Sequence, residues 1–174
     1  MLNVIYTGQK IISDGDEHRY VLVRTWKNPI CAPKNRIAWI GMNPAPLTKD
    51  GGCRTLTQIE SLSRKEGYDS FVMLNLYSKI SKTPRELNDA MTVVDARNDD
   101  YIRKELGKAS RVVCAWGDRC CVKGFSKRVR DILKLLKGRK LYCLEFTAKG
   151  NPIHISRVNG EMVLHIWRNV FCAD

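Results

Sequence analysis

The chain has 174 residues, 44% of them hydrophobic, and 30 Lys and Arg against 18 Asp and Glu give a formal net charge of +12. That length and apolar fraction suit one globular domain over residues 1–174, and no run approaches the roughly 18 apolar residues of a membrane span or has the layout of a signal peptide. A cytoplasmic protein is expected, its seven cysteines reduced and packed as small hydrophobes, because their number is odd and no CxxC spacing occurs.

Residues 1–30 alternate weakly; Asp14-Gly15-Asp16 marks a turn and Arg19 to Trp26 reads as a strand. A connector runs from Asn28-Pro29 to Asn35. Ile37 to Ile40 is then a short run of β-formers with no room for helical periodicity, which predicts a buried strand. Gly41 frees the backbone behind it, while Pro44 and Pro46 fix φ and remove two donors. Asn43 projects from this turn, either as a turn former or as a ligand-facing group.

Leu56, Ile59 and Leu62 recur at helical spacing between Thr55 and Lys65, with Gly67 as the stop. Phe71 to Tyr77 predicts a second buried strand with Asn75 near its carboxyl end. Thr83-Pro84 resembles a helix start, and a further helix is expected within Val93 to Leu106, beginning near Asp95 or Asn98. Arg111 to Gly117 predicts a third strand. Val122, Phe125, Val129, Ile132, Leu133 and Leu136 then form the apolar stripe of an amphipathic helix. Leu141 to Phe146 predicts a fourth strand, followed by a loop from Lys149 that carries His154, and an apolar tail over Met162 to Phe171.

Strand–helix alternation with continuous apolar strands predicts an α/β protein, a three-layer α/β/α sandwich around a mainly parallel sheet. The charge is uneven. Residues 119–140 hold nine cations against the single Asp131, a net +8 of the +12. Such a segment is either a solvated helix face or the footprint of a polyanion, and its concentration favours a nucleic-acid or nucleotide partner. Arg119, Lys123, Lys127 and Arg130, with Arg157 further on, are the candidate phosphate contacts.

In a parallel sheet the carboxyl ends of the strands share one rim, so Asn43, Asn75, Trp116-Gly117 and His154 should face one crevice. Asn presents a donor and an acceptor in one plane, which matches the edge of a pyrimidine or purine, and histidine can stabilise charge on a carbonyl oxygen. Each residue also has a purely structural reading; the four together point to a site. No GxGxxG, GxxxxGK[ST], HExxH or GxSxG occurs, and neither a metal nor a cofactor is expected.

Gly41-Met42-Asn43-Pro44 resembles the first active-site motif of the uracil-DNA glycosylase superfamily, in the version with Asn found in its single-strand-selective and mismatch-specific branches. Leu74-Asn75-Leu76 is similar to the strand whose Asn reads the base edge, Val113 to Gly117 to the strand that follows, and His154 falls where the second motif lies. Ile155 departs from that motif's proline, and no aromatic follows Pro44 to exclude thymine, so uracil is not implied as the base. The resemblance implies a base-processing hydrolase with Asn43 and His154 catalytic and Met42, Pro44, Asn75, Trp116 and Gly117 around the base. A whole-length likeness is to a bacterial and phage family, domain of unknown function 1643, through Asn43-Pro44, Gly67-Tyr68, Asn75-Leu76, Thr83-Pro84, Asn98-Asp99, Ala115-Trp116-Gly117 and Lys149 to His154. A non-catalytic nucleotide- or nucleic-acid-binding module is the alternative from another class. For a phage-encoded member the location would be the host cytoplasm.

Overall fold

A computed structural model describes residues 8–15, 17–26, 35–49, 51–88, 95–118, 121–158 and 161–168. Strands β1 (Gly8–Asp14) and β2 (His18–Thr25) form a hairpin, and β3 (Arg36–Gly41) leads to helix α1 (Arg54–Lys65) and strand β4 (Ser70–Asn75). A short 3₁₀ turn at Pro84–Leu87 precedes α2 (Ala96–Leu106), then β5 (Arg111–Cys114), α3 (Phe125–Leu135), β6 (Leu141–Cys143), a second 3₁₀ turn at Ile155–Arg157 and β7 (His165–Ile166). The connector from Asn28, Val93, Arg119, the end of the tail, and Cys31, Cys120 and Cys172 lie outside the described residues.

The seven strands make one sheet in the order β1-β2-β4-β3-β5-β6-β7. Its centre, β4-β3-β5-β6, is parallel, but β1 pairs β2, β2 pairs β4 and β6 pairs β7 antiparallel. The expectation of a mainly parallel sheet is therefore corrected to a mixed one. A tight turn at Gly15 permits only antiparallel pairing of β1 with β2, whereas parallel neighbours need a crossover. Apart from the Asp14-Gly15-Asp16 turn the sequence carries no sign of this reversal, because apolar runs buried on both faces look alike in either direction.

Alternation along the central strands fills two cores. Ala38, Ile40, Val72, Leu74, Val112 and Cys114 face α2 and α3. Ile37, Trp39, Phe71, Met73 and Val113 face α1. Helices thus cover both faces. Polar ties fix α1 to the sheet: Trp39 Nε1 donates to Ser63 Oγ at 3.0 Å, and Arg24 pairs with Glu60 at 3.2 Å. Burial pushes the Cys143 thiol up to about 12 and the Cys114 thiol well above its usual value, so both act as core side chains.

Candidate functional site

The two strand exits are stitched together by their backbones. Beyond β3 and β4, Leu76 N donates to Gly41 O at 2.9 Å, Tyr77 N to Met42 O at 3.0 Å, and Ser81 N to Pro44 O at 3.0 Å. Pairing continues past the last formal strand residues, so Asn43 and Asn75 sit on a fixed frame. Gly41 makes the join possible: a Cβ there would lie 2.5 Å from Met73 Cε and 2.9 Å from Asn75 Oδ1.

A cavity of about 220 Å³ opens at this frame, lined by Asn43, Asn75 and His154 together with Met42, Pro44 and Met73. It is smaller than the roughly 300–1,000 Å³ of a drug-sized site and has the scale of a single heterocycle. Three of the side chains expected at one rim from sequence are therefore neighbours in space.

Their chemistry differs. Asn75 is 2% exposed, and its Oδ1 has no hydrogen-bond partner among the described residues. A buried polar atom left unpaired costs about 1–3 kcal/mol. Such a cost is tolerated where a ligand completes the bond. The main chain around it is well supported: Asn98 Nδ2 donates to the carbonyls of Asn75 (3.1 Å) and Leu76 (3.2 Å), and Arg128 Nε donates to Leu76 O at 2.6 Å. Arg128 also pairs with Asp99 at 2.7 Å, so this member of the basic segment is a structural cation.

Among the described residues Asn43 uses Nδ2 for all three of its hydrogen bonds, to Ser81 Oγ (2.9 Å), Ser81 O and Pro44 O (both 3.2 Å). Its orientation is set, with Oδ1 as the remaining functional atom. His154 Nδ1 accepts from the Ser156 backbone N–H at 3.3 Å and lies 2.7 Å from Ser156 Oγ. An N–H can only donate, so Nδ1 carries the lone pair and the proton of the neutral ring sits on Nε2.

Gly117 anchors the His154 loop. It adopts φ +71°, its N–H donates to Pro152 O at 2.8 Å, and a Cβ would meet His154 Cβ at 3.3 Å. It therefore touches His154 from behind instead of lining the cavity. Trp116, which the resemblance places around the base, is fully buried and meets Trp167 edge-on with ring centroids 5.4 Å apart. Two residues beyond β5 it continues the alternation of Val112 and Cys114 into the core on the α2–α3 side, which corrects that expectation.

The basic helix is also elsewhere. Lys123, Lys127 and Arg130 are exposed and none lines the cavity, because α3 covers the face opposite α1. Arg157 is exposed in the 3₁₀ turn beside His154, and Arg119 is outside the described residues. The cations that do line the cavity, Arg19 and Lys82, were not singled out by the sequence. Arg19 is 7% exposed, and its Nη2 donates to Ala45 O at 2.8 Å; burial pushes its pKa below the usual guanidinium value. A cation at the head of an apolar strand, in front of Tyr20 to Val23, was the available signal. Cys53 and Thr55, at the start of α1, complete this side. No group of three His, Cys, Asp or Glu able to hold a metal occurs among the described residues.

Fold and site together define a mixed α/β protein with a small polar cavity at the carboxyl ends of two central parallel strands. The chain belongs to the family described as Protein of unknown function (DUF1643), which it matches over residues 19–154. That span opens on Arg19 and closes on His154, so it contains every residue lining the cavity. No curated protein and no solved structure matches the chain.

Proposed function

We propose that the cavity recognises a nucleobase and that the protein is a DNA glycosylase-like hydrolase of a damaged or modified base, its sheet and helices forming a three-layer sandwich of the uracil-DNA glycosylase kind. The observation that supports this is the meeting of Asn43, Asn75 and His154, from three distant parts of the chain, on one heterocycle-sized cavity.

The target nucleotide leaves the base stack and enters the cavity, as base-processing enzymes require. Asn75 pairs with the donor–acceptor edge of the base. Asn43, its Nδ2 held by Ser81 and Pro44, orients a water through Oδ1 toward the sugar C1′. The glycosidic bond breaks and its electron pair leaves with the base, where the Nε2–H of His154 donates to the oxygen that gains charge. The water oxygen bonds to C1′ and its proton passes to solvent. Lys123, Lys127, Arg130 and Arg157 hold the nucleic-acid backbone outside the cavity.

The test is release of free base from single- and double-stranded oligonucleotides that carry altered bases. Asn43→Ala should lower release at least about 10²-fold at matched protein stability. Unchanged release by that variant would discard the assignment.

One observation favours a second reading, a binding module without hydrolysis: among the described residues no carboxylate lines the cavity to take a proton from water. A nucleotide or modified base bound tightly and recovered intact after denaturation would support it over the enzyme.

A further inference from the structure

The cavity lined by the two asparagines is also electropositive, and this character is built from three independent parts. Helix α1 is 12 residues long, and its N-cap residue Cys53 makes no side-chain capping bond. Its first turn contains no acidic residue. Its leading backbone N–H groups therefore lack the usual side-chain partner, and Thr55 of that turn lines the cavity. Arg19 brings a guanidinium that is almost wholly removed from solvent and has no carboxylate partner among the described residues. Burying an unpaired cation is costly unless something anionic completes it. Lys82 adds a second cation from the loop after β4. The carboxylate of nearby Glu86 is engaged by the backbone N–H of Lys82 (3.0 Å) and the hydroxyl of Thr83 (3.0 Å).

A separate observation concerns a side chain that lines the same cavity. The Oδ1 of Asn75, on a side chain 2% exposed, is unpartnered there. The cavity thus holds anion-binding groups, together an anion pole, as well as amide groups, so one molecule filling it carries a negative group beside a hydrogen-bonding heterocycle.

We propose that the ligand is engaged through a phosphate ester as well as through its base, with the phosphate held by Arg19, Lys82 and the amino end of α1. This rests on the nucleobase reading and deepens it: the site takes a nucleotide, and a bare nucleoside lacks half of what it recognises. The ester belongs to a free nucleotide or to a strand; the chemistry at the pole is the same.

Calorimetric titration tests this with four probes: nucleosides, their 5′-monophosphates, short oligonucleotides and inorganic pyrophosphate. A monophosphate should bind at least about tenfold tighter than its nucleoside, the gain expected from charge-assisted hydrogen bonds. Arg19→Gln should remove most of that gain, so that the ratio of monophosphate to nucleoside affinity falls toward one. Because Arg19 is buried, the exposed Lys82→Ala provides a second arm that should remove part of the gain in a stably folded protein. Equal affinity for nucleoside and monophosphate, with base preference retained, would overturn the anion pole and leave the base reading standing. Pyrophosphate binding that needs Arg19, with no preference among bases, would uphold the pole and remove the base reading. Tighter binding of the strand assigns the ester to nucleic acid, tighter binding of the mononucleotide to a free nucleotide, and either supports the pole.

Discussion

Gly41 stands where the backbone of β3 passes under two side chains of β4. Alanine there would push its methyl into Met73 Cε and Asn75 Oδ1, at 2.5 and 2.9 Å. The methionine end is flexible and yields; the carboxamide is hemmed in and must turn. Gly41→Ala should therefore cost about 1–3 kcal/mol in chemical denaturation, with ligand affinity falling further than stability alone explains. Retained affinity in the folded variant would mean that Asn75 is not the base-reading group. At this scale the sequence was informative for where Asn43 and Asn75 lie, at neighbouring strand ends, because each closes an apolar run that reads as a buried strand. It was misleading for Trp116, because nothing local shows which face of a strand end turns inward. Arg128 was hidden in the same way: a cation within a basic run looks solvent-facing until the carbonyl of Leu76 and the carboxylate of Asp99 are found beside it.

Among the elements, α2 shows how a short helix is held by its N-cap residue. Asp95 accepts from the Arg97 N–H at 3.0 Å and from the Tyr20 hydroxyl at 2.7 Å, so one carboxylate caps the helix and ties it to β2. Burial raises its pKa, but the hydrogen bonds from Tyr20 and Arg97 outweigh this and hold it below the usual 3.8. A group whose folded value is depressed stabilises the native state above its unfolded value and loses that contribution as pH falls through the folded one. Asp95→Ala should thus lower stability by about 1 kcal/mol near neutrality. The gap in Tm from the native chain should close as pH drops below about 4. A gap independent of pH would mean the charge is not what matters. The helices were legible because their apolar spacing is intrinsic: α1 and α3 begin and end within a few residues of the expected bounds. The sheet's mixed direction was not, since β2 fits beside β4 through a register (Leu22 opposite Met73) that only the assembled molecule specifies.

Across the whole molecule the positive charge divides into two regions. Lys127 and Lys134 on α3 are 74% and 77% exposed on the face opposite α1, whereas Arg19 is buried at the cavity. Reversing charge at Lys127 and Arg130 should weaken DNA binding for every sequence and flatten its dependence on salt by about one unit of slope for each phosphate left without its cation. Mononucleotide binding at the cavity should stay as it was; a parallel weakening there would show that the two regions act as one. The stitched exits of β3 and β4 bear on what either region can achieve. Three main-chain hydrogen bonds immobilise the residues that present the amide groups before any guest arrives. The conformational entropy of arranging them is thus spent once, during folding, and not at each encounter. If the recess receives a small, flat molecule as proposed, these two exits need no rearrangement to admit it.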